Sequence, residues 1–253
     1  MSEHTMENHM SAMSREERIN EAFLKVADTL MDSYDVVDLL SMLVHECTDL
    51  LGQQGGGILI ADVTGDLELL ASTSEAAEFV EVMQLGAGLG PCVECFETGK
   101  PVAVPDISAI GDRWPQFQKA ALARGFHSLH ATPMRLRGKV VGTMNLMGTS
   151  TGGLDDRDVA LAQALADVAI IGILQERSLR DPRILSEQLH LALDTRVLVE
   201  QAKGVLAHVL GLDMEDAFNT LRRYGRENRL PLREVAEGVV KRSIDASMLA
   251  ARA

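Results

Sequence analysis

The sequence predicts an α+β fold, an antiparallel sheet with helices packed on one side, followed by a separate module of three helices. Three observations carry this reading. Two pairs of strand-like apolar runs are each split by a short turn, Thr64-Gly65-Asp66 and Arg137-Gly138, which is a hairpin signal. Segments 15–31 and 155–180 repeat apolar residues at helical spacing. From Arg183 onward the strand pattern stops and the charge balance changes: 11 basic and 10 acidic residues there, against 13 basic and 27 acidic before it.

In chain order, residues 1–14 carry Glu3, His4, Glu7 and His9 without a basic-then-apolar order, so they read as a disordered tail and not as a signal peptide. Residues 15–31 form a helix with Ile19, Phe23, Val26, Ala27 and Leu30 on one face. Asp35 is an N-cap for a second helix reaching about Leu51. Residues 52–57 read as a glycine break, 58–63 and 67–72 as a hairpin, and 74–83 as a short helix. Gly86 to Gly90 read as a glycine-rich loop. Pro91 then opens a helix that Gly99 ends. Residues 101–104 suit an edge strand because they begin with Pro101. A helix over 115–124 stops at Gly125, and the second hairpin pairs 128–136 with 139–147. The helix over 155–180 is broken at Asp181-Pro182. A long helix over 183–209 ends at Gly211, Asp213 caps a second reaching Glu227, and Pro231 opens a third to about Arg242.

Composition narrows the function classes. The 253 residues suffice for one large or two small domains, here 15–180 and 181–253. The most apolar stretch, 159–174, is interrupted by Gln163 and Asp167 and is too short to span a bilayer. Three cysteines cannot frame a disulfide scaffold, which fits a cytoplasmic protein. The net charge of −13 argues against strong non-specific nucleic-acid binding, although 217–233 hold five arginines against one acid. There is no phosphate-cradling loop, nucleophile elbow or dinucleotide glycine pattern, no convincing catalytic acid pair, and no metal site: one C-x-x-C is half a zinc site, and His127 and His130 point to opposite sides of a strand. The sequence therefore does not read as an enzyme.

The segment Gly90-Pro91-Cys92 through Glu97-Thr98-Gly99-Lys100-Pro101-Val102 to Val104-Pro105-Asp106, with Pro133-Met134-Arg135 and Val141-Gly142-Thr143-Met144-Asn145-Leu146, resembles the GAF domains of actinobacterial regulators. The resemblance covers 15–180. It implies a small-molecule ligand between the sheet and the loops over it, with Cys92, Phe96, Trp114, Phe117, Phe126, His127, Met144 and Asn145 as lining candidates and no identified cofactor. Cys92 and Cys95 also sit at a helix N-terminus, where a thiol pKa can fall, so redox sensing is a second expectation.

The string Arg196-Val-Leu-Val-Glu-Gln-Ala-Lys-Gly-Val-Leu206 resembles the signature of ANTAR domains, and Ala217, Leu221, Arg222-Arg223, Asn228, Leu232, Val235-Ala236 and Val239 follow in register. Gly225 departs from the family's usual Ala and costs a helix roughly 1 kcal/mol. The resemblance implies an RNA-binding antiterminator that holds paired hairpins with six-base loops in nascent leader RNA, and hence a homodimer. The residues suit that partner. Arg222, Arg226, Arg229 and Arg233 are at near-helical spacing, Arg196 and Lys203 share one helix face, Gln201 and Asn228 carry donor–acceptor amides, Gly204 permits close approach, and Arg223 adds charge. Helices around 155–200, with Ile173, Leu174, Leu185, Leu189 and Leu193, are the expected dimer seam. Three rival readings remain: a ligand-responsive DNA-binding regulator, a protein–protein signalling module and, for the GAF half alone and compatible with RNA binding, a cyclic-nucleotide sensor.

Overall fold

A computed structural model describes residues 14–31, 35–62, 64–175, 182–228 and 230–250; of residues 30, 31, 174, 175, 182–194 and 250 it describes the backbone alone. Helix α1 (Arg15–Met31) opens on a capping box, the Ser14 amide donating to Glu17 Oε2 at 2.7 Å and the Glu17 amide to Ser14 Oγ at 3.3 Å. Ser14 is therefore the helix cap and not part of a tail; the rest of the expected disordered segment lies outside the described residues. Asp35 caps α2 (Val36–Leu51) as expected, accepting from the Val37 amide, and Gly52 ends it in a left-handed conformation.

Strands β1 (Gly55–Ala61) and β2 (Leu67–Ser72) pair antiparallel. Their loop is organised by Asp62, whose carboxylate accepts the amides of Thr64, Gly65 and Asp66. Helix α3 (Glu75–Ala87) is capped by Ser74, and α4 (Pro91–Thr98) starts on its proline. The edge strand β3 (Val102–Val104) and α5 (Pro115–Ala123) lead to β4 (Ser128–Leu136) and β5 (Lys139–Gly148). Arg137 and Gly138 both have positive φ, 50° and 84°, the sense that matches the twist of a two-residue hairpin. Helix α6 (Asp156–Gln175) follows.

The sheet order is β2-β1-β5-β4-β3, antiparallel throughout. Helices cover both of its faces, which corrects the one-sided arrangement. On one face Ile58, Ile60, Met134, Met144 and Leu146 pack against α1, α2 and α6. On the other, Leu129, Ala131 and Met147 meet Ala77, Val80 and Cys95 of α3 and α4, and Phe117 of α5. A sheet apolar on both faces requires two covers, and the three short helices supply the second.

The C-terminal unit comprises α7 (Pro182–Leu210), α8 (Met214–Asn228), α9 (Leu232–Val240) and a short α10 (Ala246–Ala250) that the sequence reading missed. Val199, Ala202, Leu206, Ala217, Leu221, Val235, Ala236 and Val239 form its core, closed by Leu249. Gly225 has a packing reason: a Cβ there would lie 2.9 Å from the Leu230 carbonyl oxygen, and the Leu230 amide returns to the Gly225 carbonyl at 2.9 Å.

Leu165 is fully buried where α6 covers the sheet. Leu165→Ala is expected to cost about 3 kcal/mol in denaturant melts, by lost burial plus the cavity left behind.

Candidate functional site

The nucleic-acid candidates divide among several surroundings. Arg196, on α7, reaches across to the sheet: its guanidinium donates to the Leu69 carbonyl on edge strand β2 and to Glu78 Oε1 of α3 at 3.1 Å. Its side chain is 19% exposed. Seven residues on, Lys203 is held by Glu200 at 2.9 Å, near the Phe218 ring. Arg222 of α8 forms an ion pair with Asp38 of α2, although the facing atoms lack hydrogen-bond alignment. The backbone amide of Arg233, at the start of α9, lies near the Asp35 carboxyl, which burial holds above its ordinary pKa. Arg226 is exposed and has no ion pair among the described residues; with Arg222 it lines a cleft of about 530 Å³ against α1 and α2.

The remaining candidates face elsewhere. Gln201 and Gly204 lie along a second, more apolar groove of about 730 Å³ with Val239, Val240 and Arg242, and Gly204 opens onto free space. Arg223 donates to the Leu249 carbonyl at 3.1 Å and so fastens α10. Asn228 donates to the Tyr224 carbonyl at 2.9 Å, within the end of α8. Arg229 lies outside the described residues. The candidates are thus divided between two surfaces and two structural tethers.

Beneath α3 and α4 lies a buried polar cluster. Glu81, Gln84, Cys92, Thr143 and Asn145 are all fully buried. Gln84 Nε2 donates to Glu81 Oε2 at 3.3 Å and the Cys92 thiol donates to the same oxygen at 3.1 Å, while Gln84 Oε1 accepts the Cys92 amide at 3.1 Å. Glycine makes room for both acceptors: a Cβ on Gly57 would meet Glu81 Oε1 at 2.9 Å, and one on Gly90 would meet Gln84 Oε1 at 2.3 Å. Desolvation pushes the Glu81 carboxyl up to about 7, against a smaller opposing pull from Cys92 and Asn145. Glu81 Oε1 and Asn145 Oδ1 have no well-aligned partner among the described residues. Sequence reasoning missed Glu81 and Gln84; the signal was two polar residues three apart on the apolar side of a helix.

The GAF domain family profile matches residues 33–173, more than half of the chain, and the ANTAR domain profile matches 187–240. This is a GAF–ANTAR protein. Solved structures share the sensor fold. A free methionine-R-sulfoxide reductase from Neisseria meningitidis, in complex with its substrate, is 19% identical with TM-score 0.52, covering 66% of this chain and 94% of its own. A structure described as that of the GAF domain is 18% identical with TM-score 0.51, covering 64% and 90%. The GAF domain of an Acinetobacter phosphoenolpyruvate-protein phosphotransferase is 15% identical with TM-score 0.50, covering 67% and 100%. At these identities the likeness shows the fold alone. A search of curated proteins returned no match.

Within the GAF domain the ligand candidates separate. Asn145 and Cys92 belong to the buried cluster. Met144, one residue from Asn145, pairs with Ile58 and packs in the opposite core against α2 and α6, so strand alternation removes it from the site. Trp114, Phe117 and Phe126 are core; Trp114 stands edge-on to Phe117 at 6.2 Å under the Arg113 guanidinium. Phe96 and His127 are half-buried, and the His127 carbonyl accepts the Ile107 amide. The redox expectation meets an opposing fact: Cys92 and Cys95 are fully buried, and desolvation raises the Cys92 thiol and pushes Cys95 up to about 12, which outweighs their place at a helix start. Among the described residues, no three His, Cys, Asp or Glu side chains are grouped to hold a metal, and no helix is long and apolar enough to cross a membrane. Ile173 is buried in the GAF core and so is not part of a dimer seam, and the side chains of Leu174, Leu185, Leu189 and Leu193 lie outside the described residues.

Because the folded pKa of Glu81 lies above its ordinary value, its neutral form stabilises the domain at low pH, and that contribution is lost as pH rises through about 7. Glu81→Gln is expected to flatten the pH dependence of stability between about 4.5 and 7. It is also expected to gain on the order of 3 kcal/mol relative to wild type at pH 8, from the shift at 1.36 kcal/mol per unit. Thermal melts across pH check both.

Proposed function

We propose that this GAF–ANTAR protein is a signal-responsive transcription antiterminator. Its GAF domain senses a small molecule, and its ANTAR domain, as a homodimer, binds tandem hairpin loops in nascent RNA. The reading assigns no catalytic step to the chain and places it in the cytoplasm, with domains at 15–180 and 181–253. One observation carries it: α7 and α8 bring Arg196, Lys203, Arg222 and Arg226 to one side of a module whose family match spans 187–240. Guanidiniums suit RNA phosphates, and the amides of Gln201 and Asn228 remain candidates for base edges. The buried cluster around Glu81 and Asn145 is the candidate signal site, because its unmatched acceptors line the face that α3 and α4 cover. The burial of all three cysteines supports a bound small molecule over thiol oxidation as the signal.

The test is binding of the full chain to a tandem six-base-loop hairpin RNA, with a scrambled RNA and duplex DNA alongside. Loop-dependent binding is expected. Arg226→Ala, which breaks no described ion pair, is expected to weaken binding several-fold and to reduce the salt slope by about 0.7. Equal affinity for the three nucleic acids would overturn the reading; preference for the duplex would favour the DNA-binding alternative.

A further inference from the structure

The side of the ANTAR domain that carries Arg196 and Arg222 is not open. Arg196 is shared between Glu78 and the Leu69 carbonyl, Arg222 is paired with Asp38, and both side chains are 19% exposed. Lys203 is 14% exposed and already engaged by Glu200. The space left between α7, α8 and the sensor is about 50 Å³, lined by Val37, Leu70, Arg196, Val199, Lys203 and Phe218. That is room for a water or two and not for a nucleotide. The adjoining cleft that exposes Arg226 carries Asp28, Glu46 and Glu215 against Lys25, Arg222 and Arg226, so its acids offset the cations that would attract a polyanion.

We infer that the GAF domain closes the RNA-binding face in this conformation, with the carboxylates of Glu78 and Asp38 holding the guanidiniums that RNA phosphates would take, so that sensor and RNA compete for Arg196 and Arg222. The inference rests on the RNA-binding reading above. Its chemistry is substitution of like for like. A carboxylate and a phosphate present similar charged oxygens to a guanidinium, so one arginine cannot serve both at once. The contact is built to be reversible. The four paired side chains keep between 19% and 34% of their surface in solvent, although the facing atoms of Arg222 and Asp38 are themselves buried, and the enclosed space is small. It also has a route to the signal site. Glu78, which holds Arg196, is one helical turn from Glu81 on the same helix α3, so a ligand that moves α3 moves the Arg196 partner with it.

The experiment uses the full chain with Glu78→Gln and Asp38→Asn together. A control carrying Glu97→Gln and Asp112→Asn removes the same charge from exposed positions away from the contact. Two quantities are read: affinity for the tandem-hairpin RNA, and hydrogen exchange of the backbone amides of residues 67–72 and 196–206. The expected result is faster exchange in those segments and about tenfold tighter RNA binding in the first variant, since release of a closed state restores the intrinsic affinity, with neither change in the control. Faster exchange with RNA affinity equal to a measurable wild-type value overturns the competition and leaves the RNA reading standing. Unchanged exchange overturns the closure itself. An equal gain in affinity in the control also overturns it, because general charge then explains the gain. Absence of RNA binding in wild type and in the opened variant alike overturns the RNA reading, and this inference with it.

Discussion

An edge strand leaves alternate backbone groups without partners, and the arrangement of this molecule turns on how edge strand β2 is met. Leu69 pairs with Leu59 on its inner side and gives its outward carbonyl to Arg196 of the C-terminal module. That contact brings α7 against the sheet, sets α8 beside α2 and so allows Arg222 to reach Asp38. Sensor and effector are therefore joined by charged side chains around a small apolar contact, in contrast to the continuous apolar packing inside each. Interfaces of this kind resemble transient protein–protein contacts more than a core.

The sensor has the opposite character. Both faces of its sheet are covered, and Glu81 lies at the bottom of one cover, within hydrogen-bond reach of Gln84 and the Cys92 thiol. An acid in that position is costly when ionised, and its near-neutral pKa is the physical expression of the cost. It shares the layer with Gln84, Thr143 and Asn145, so the buried polarity of this cover is concentrated at one point.

Much of the fold was legible because its punctuation is local. Asp35, Ser74 and Pro91 open helices, Gly52 and Gly99 end them, and Arg137-Gly138 makes the hairpin turn. Glycine was misread where its role is non-local. Gly55 to Gly57 belong to β1, because Phe126, Thr48 and Glu81 approach too closely for side chains there, and Gly86 is inside α3. The helix cover of the second face was not legible, since α3, α4 and α5 are short and the strands they pack on come from three places in the chain. At the candidate site, residue types and family register singled out Arg196, Lys203 and Arg222; Lys203 is held by Glu200 of its own helix, whereas the partners of Arg196 and Arg222 come from the other domain and could not be read from the sequence. Strand alternation alone would have separated Met144 from Asn145. Glu81 was passed over because a lone acid on a helix ordinarily faces water.

The Arg196 contact also bears on whether either half of this chain can be exchanged for another. A guanidinium that answers to a strand carbonyl and a carboxylate in one domain, while lying in the signature segment of the other, ties the sequences of the two together. Changing Glu78 or the course of β2 alters the environment of a residue in the other module. A C-terminal module moved onto a sensor lacking that acid and that open edge would carry the same arginine without the carboxylate and the carbonyl that hold it here.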